Sequence, residues 1–156
     1  MENETLQTLM DQCKAEEKEL VFKSFTREDA WNLGCFIRQY SLEHTAPVCI
    51  QITVNELAIF RYIPEGVTKN NLRWMERKHN MVMVREMSSR RAQVMLEMQG
   101  KTMADWLMDP EKFGCIGGGF PIRVENVGVI GSICVSGLPA EEDHRLIVDA
   151  LREYMR

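Results

Sequence analysis

The chain has 156 residues, about one domain on the usual prior of ~150 residues each, and we read residues 1–156 as one unit. Its 19 Lys and Arg against 23 Asp and Glu give a net charge of −4, which excludes a globally basic nucleic-acid binder while leaving room for a local patch. With 45% hydrophobic and 27% charged residues the composition is that of a globular protein able to bury a core without a metal or disulfide staple.

The five cysteines, Cys13, Cys35, Cys49, Cys115 and Cys134, are odd in number and form no C-x-x-C. That argues against a disulfide framework or a zinc knuckle. Most sit in apolar runs and read as small buried hydrophobes, and reduced thiols predict a cytoplasmic location. No basic stretch followed by an apolar run opens the chain, so no signal peptide is expected. No apolar stretch approaches the ~18 residues of a membrane span.

Leu6, Leu9, Met10 and Cys13 fall at helical spacing and predict an amphipathic helix over Asn3 to Glu19. Leu20-Val21-Phe22 reads as a short strand. Thr26 and Asp29 have the spacing of a capping box, followed by a helix burying Ala30, Leu33, Gly34 and Ile37 and ending near His44. Val48–Val54 and Leu57–Ile63 are β-branched runs joined by Asn55-Glu56, a two-residue hairpin connection. A long helix begins near Thr68, and Ser88 to Phe113 reads as short helices and loops. After the glycine loop Gly117-Gly118-Gly119, a second hairpin turns at Asn126. Its last strand is apolar almost throughout, which predicts a central strand covered on both faces. Pro139 suits the first position of a final helix, with Glu141, Glu142 and Asp143 in its positive first turn. Two hairpins between helices predict an α+β fold: an antiparallel sheet of about five strands flanked by helices, in a profilin- or PAS-like layout.

Lys69 to Arg91 holds seven basic residues, Lys69, Arg73, Arg77, Lys78, Arg85, Arg90 and Arg91, against Glu76 and Glu86. A solvated helix face paired with acids elsewhere is one reading. An anion pocket is the other, with Arg77 and Lys78 beside the hydroxyls of Ser88 and Ser89. Seven of the eleven methionines lie between Met75 and Met103, suited to core or interface packing. The glycines at 117–119 are not a Walker loop. They read either as a tight approach to the strand or as amides facing a ligand anion. Ser136 places a hydroxyl where a strand turns into a helix, outside any G-x-S-x-G elbow. Asp143 and His144 are adjacent and diverge on a helix, a poor dyad with each other. His44, His79 and His144 show no metal-ligand spacing, so no metal site is read, and no catalytic set is identified.

Gly117-Gly118-Gly119-Phe120-Pro121, then Gly128 to Gly137 with its Val135-Ser136-Gly137 end, then Asp143, resemble the haem-degrading (HbpS-like, GlcG-like) domain superfamily. Trp74, Arg77-Lys78, Val82, Ser88-Ser89, Leu138-Pro139 and Asp143-His144 make the chain similar to the branch grouped as uncharacterised protein family 0303. The resemblance implies an α+β domain in a symmetric homo-oligomer. Some relatives bind or degrade haem, and others are fused to corrinoid-handling enzymes. The first functional expectation is therefore a cytosolic oligomer binding a small anionic ligand, such as haem or a related tetrapyrrole. Arg77, Lys78, Ser88, Ser89, Ser136 and the Gly117, Gly118 and Gly119 amides would form its site, with His79 or His144 as haem ligand. The second is a non-catalytic interaction scaffold using a Met-rich helical surface. Neither involves nucleic acid or membrane.

Overall fold

The computed structural model describes residues 3–156. Helix α1 (Asn3–Glu19) buries Leu6, Met10 and Cys13, the stripe its spacing predicts, and packs Leu6 and Met10 on Val94. The next residues form a single parallel bridge, Phe22 with Val124. Here the expectation of five strands is corrected to four. Between the end of α1 and the cap at Thr26 only Phe22 is bridged: it donates to Arg123 O (2.9 Å) and accepts from Glu125 N (2.8 Å).

Helix α2 (Arg27–His44) opens on the capping box: Asp29 N donates to Thr26 Oγ1 (3.1 Å) and Thr26 N donates to Asp29 Oδ2 (2.7 Å). Strands β1 (Cys49–Val54) and β2 (Leu57–Tyr62) are joined through Asn55 and Glu56 at φ 49° and 66°, the paired left-handed residues of a type I′ hairpin. Helix α3 (Lys69–Arg85) starts at Thr68, and α4 (Ser89–Gln99) runs from Ser88 to a left-handed Gly100. Strands β3 (Gly119–Val124) and β4 (Gly128–Ser136) form the second hairpin. Helix α5 (Ala140–Tyr154) follows Pro139, which stands one position earlier than expected, as the cap, because its ψ of 144° is extended.

The sheet is antiparallel throughout, in the order β2-β1-β4-β3, so β4 is central as expected. Period-two alternation gives it two unlike faces. One presents Ile50, Ile52, Phe120, Ile122, Ile133 and Val135, sealed by Leu33 and Ile37 of α2 and Ile147 and Leu151 of α5 in one core. Gly34 belongs to this packing: a Cβ there would lie 2.3 Å from the Phe60 ring. The other face presents Gln51, Thr53, Ser132, Cys134 and Ser136, and α3 lies over it. The Met-rich stretch is partly inside: Met75, Met81 and Met87 are buried, the last two in a cluster with Ala92 that also takes in the half-buried Met95, Met103 and Trp106, while Met98 is exposed. Among the exposed large apolar side chains are those at the two hairpin tips, Leu57 and Val127, together with Val84 and Leu107.

Candidate functional site

Two consecutive residues of α3, Lys78 and His79, are buried against the polar face, only 1% and 6% exposed. Charged residues are almost never so buried unless paired. Lys78 Nζ donates to Val135 O (3.0 Å) and to Asp143 Oδ2 (3.3 Å), while Asp143 Oδ1 accepts from Leu138 N (3.0 Å). Burial pushes the Asp143 carboxyl up to about 6, against the opposing pull of the Lys78 ammonium and the Leu138 amide. Gly118, at φ 120°, makes room for this pair: a Cβ there would fall 2.5 Å from Lys78 Nζ. Beside the pair, Asn71 Nδ2 donates to Ser136 Oγ (3.2 Å). These residues, with Trp74 and Leu138, line an open cleft of about 370 Å³.

His79 points to the other side of α3. Its Nδ1 meets Ser132 Oγ at 2.6 Å and its Nε2 meets Glu56 Oε2 at 3.2 Å. Ser132 is fully buried, whereas the Glu56 side chain is 67% exposed at the hairpin turn. A second cleft, of about 410 Å³, opens over this imidazole, lined by Glu56, Arg61, Lys69, Arg73 and Glu76. It opens beside α3, which covers β4 and packs Met75 on Cys49 but leaves Gln51 of β1 with Ala58 and Arg61 of β2 at the cleft wall. Of the seven basic residues from Lys69 to Arg91, five have partners. Arg77 lies over Trp74 and donates to Glu111 O, Lys78 pairs with Asp143, Arg85 lies over Trp106, Arg90 pairs with Glu141 and Arg91 with Glu17. Lys69 and Arg73 make no side-chain hydrogen bond or ion pair among the described residues, and both line the His79 cleft.

The residues singled out from sequence are thus distributed. Lys78 and Ser136 share the first cleft, with Gly118 packed beneath the ammonium. Arg77 turns outward. Ser88 Oγ accepts from Arg91 N (3.1 Å) as the cap of α4, and Ser89 Oγ accepts from Gly119 N (2.9 Å). Gly117 meets α5, where a Cβ would lie 2.4 Å from Ala140 O.

His144 is 3% exposed and faces α1, away from its neighbour Asp143. Its Nε2 meets Glu16 Oε1 at 2.8 Å, and Glu16 Oε2 accepts from Arg145 (2.8 Å). Burial alone would raise Glu16, but the hydrogen bonds and charges of His144 and Arg145 outweigh it and hold the carboxyl below its usual range. Sequence reading missed Glu16, Asp143 as the partner of Lys78, and the free pair Lys69 and Arg73. The last had a signal in the basic run, but which cations lack partners depends on residues distant in the chain.

Comparison with known proteins fits this geometry. Residues 25–152 match the family model for haem degrading protein HbpS-like. A UPF0303 protein of Rhizobium etli (strain CIAT 652) is 37% identical over 147 residues, covering 94% of this chain and 90% of that protein. A UPF0303 protein of Streptomyces coelicolor is 35% identical over 145 residues, covering 92% of each. The solved structure of Ybr137w protein superposes with a TM-score of 0.85 at 26% identity, over 94% of this chain and 90% of that one. HbpS shares the fold at TM-score 0.67 and 15% identity, over 85% of this chain and 90% of its own. With a four-stranded antiparallel sheet, a glycine loop fitted to a buried lysine, and relatives matched over nearly its whole length, the chain belongs to the HbpS-like family, in its UPF0303 branch.

Proposed function

We propose that the chain binds a small carboxylate-bearing ligand of the tetrapyrrole class, haem in the first instance, in the cleft over His79. The observation that carries this reading is the pair of unpartnered cations, Lys69 and Arg73, beside a buried imidazole. Cations at a cleft rim suit carboxylates, and a cleft of about 410 Å³ falls within the usual range of small-molecule sites, roughly 300–1,000 Å³. With the ring proton on Nδ1 and donated to Ser132 Oγ, the Nε2 lone pair is free to bind a metal ion once the exposed Glu56 swings aside. Haem, when bound, would supply an iron that His79 Nε2 would hold, with Lys69 and Arg73 holding its carboxylates. A neighbour of the same fold, at TM-score 0.66 and 15% identity, is described as a PduOC:heme complex, which supports the choice of ligand. This reading places the carboxylate contacts on Lys69 and Arg73 in place of Arg77.

The test is a haemin titration followed in the Soret region. The expected result is a sharpened band that is lost in His79→Ala, kept in His144→Ala, and weakened by Lys69→Glu with Arg73→Glu. A band unchanged by His79→Ala and by the charge reversals overturns the site.

We further propose that the protein works in the cytosol as a homo-oligomer. Leu57 and Val127 project from hairpins at the same end of the sheet, and Val84 of α3 adds to the exposed apolar surface, a place for a second copy to cover. Sedimentation decides this: a single species near 18.1 kDa at micromolar concentration contradicts it. With Met75, Met81 and Met87 buried, the scaffold alternative rests on these same tips and on Met98.

A further inference from the structure

Between α1 and α5 lies a cluster that the ligand site does not use. Cys13 and Glu16 stand one turn apart on α1, and His144 comes from the first turn of α5. All three are buried, and one ligand atom from each lies within 4.8 Å of the others. Thiolate, carboxylate and imidazole are the donor types of zinc-class sites. Bonds from such an ion run about 2.0–2.3 Å, so two span at most about 4.6 Å, and small side-chain rotations bring the three atoms onto one ion.

The His144 imidazole uses only one of its two nitrogens within the protein. His144 Nδ1 is buried and has no hydrogen-bond partner among the described residues. Buried polar atoms are nearly always satisfied, and this one lies across the ring from Nε2, the nitrogen that faces Glu16 and is placed for the ion. The surrounding cations are already engaged: Arg145 with Glu16 Oε2 and Asp149, Arg90 with Glu141, and Arg91 with Glu17. Arg145 can stay on Oε2 and orient the carboxylate while Oε1 turns to an ion, the outer-shell arrangement common in metal sites. An adjoining cavity of about 170 Å³, lined by Cys13, Glu16, His144 and Gln12, gives an entry path and a fourth position for water.

We propose that Cys13, Glu16 and His144 form a site for one zinc-class divalent cation. The charge balances: the Cys13 thiol gives its proton to solvent, and thiolate and carboxylate neutralise the two positive charges beside a neutral imidazole. Nothing in the sequence spacing reveals the site, because Glu16 and His144 are 128 positions apart.

Cobalt(II) titration of the full chain, freed of metal with a chelator, tests it. The expected result is one equivalent bound, with a thiolate-to-cobalt charge-transfer band that zinc displaces. Cys13→Ser should abolish the band, Cys35→Ser should leave it, and Glu16→Asp should weaken cobalt binding by 10-fold or more while circular dichroism shows a native fold. His79→Ala should leave the band intact, which separates this site from the ligand cleft. No charge-transfer band in the folded wild type, or a band that survives Cys13→Ser, overturns the proposal.

Discussion

The two faces of the sheet are built to opposite rules. The face toward α2 and α5 carries Ile50, Ile52, Phe120, Ile122, Ile133 and Val135 and gains its stability by removing apolar area from water. The face toward α3 carries Ser132, Cys134 and Ser136 and buries a lysine and a histidine, groups that cost free energy to bury unless paired. Nothing in a sheet requires the second arrangement, since a leucine-rich α3 over an apolar face would hold as well. What the difference teaches is where to look for function: the polar face has two open clefts, and the two unpartnered cations of the basic run lie at one of them.

Truncation on the apolar face should have the largest effect. Phe120→Ala is expected to lower stability by about 3–5 kcal/mol, read from urea unfolding, and to leave haemin affinity of the folded fraction unchanged. On the polar face, Asp143→Ala leaves the Lys78 ammonium buried without its carboxylate, at a cost of about 3 kcal/mol or somewhat more. The double variant Lys78→Met with Asp143→Leu should recover most of that loss, because an apolar pair of similar volume carries no unpaired charge. If the double variant is as unstable as the single, the pair stabilises through something other than mutual neutralisation.

Two buried carboxylates differ in pH response, Asp143 against the polar face and Glu16 between α1 and α5. Asp143 lies at about 6 in the folded protein, above its ordinary 3.8. Its contribution to stability is therefore full below the ordinary value and lost as pH rises through about 6. Urea midpoints of wild type and Asp143→Asn, compared from pH 4 to 7, should show the wild type losing ground as pH rises. Glu16, held below its ordinary 4.5, works the other way: its stabilisation is present above that value and lost on acidification, so Glu16→Gln should flatten the acid limb. A wild-type advantage over Asp143→Asn that grows with pH would show that Lys78 outweighs burial.

The apolar face was legible in the sequence and the polar face was not, for a physical reason. Helix stripes, the Thr26 and Asp29 capping box and the Asn55-Glu56 turn are set by neighbours a few residues apart, within reach of periodicity and turn chemistry. The partners on the polar side are distant: Lys78 and Asp143 are 65 positions apart, His79 and Ser132 are 53. A basic helix run reads as solvated until the fold shows which cations are spent on Trp74, Trp106, Glu17, Glu141 and Asp143. Methionine misleads for a related reason, since it suits interface and core alike, and here Met75, Met81 and Met87 chose the core.

The central claim is that ligand binds on the polar face, and paramagnetic broadening tests it most directly. Haemin added to the isotopically labelled protein should broaden the amides of Gln51, Thr53, Ala58 and the His79 turn of α3, and leave Leu33, Ile147 and Leu151 sharp. Broadening centred on α2 and α5, or spread evenly over the surface, would contradict the account.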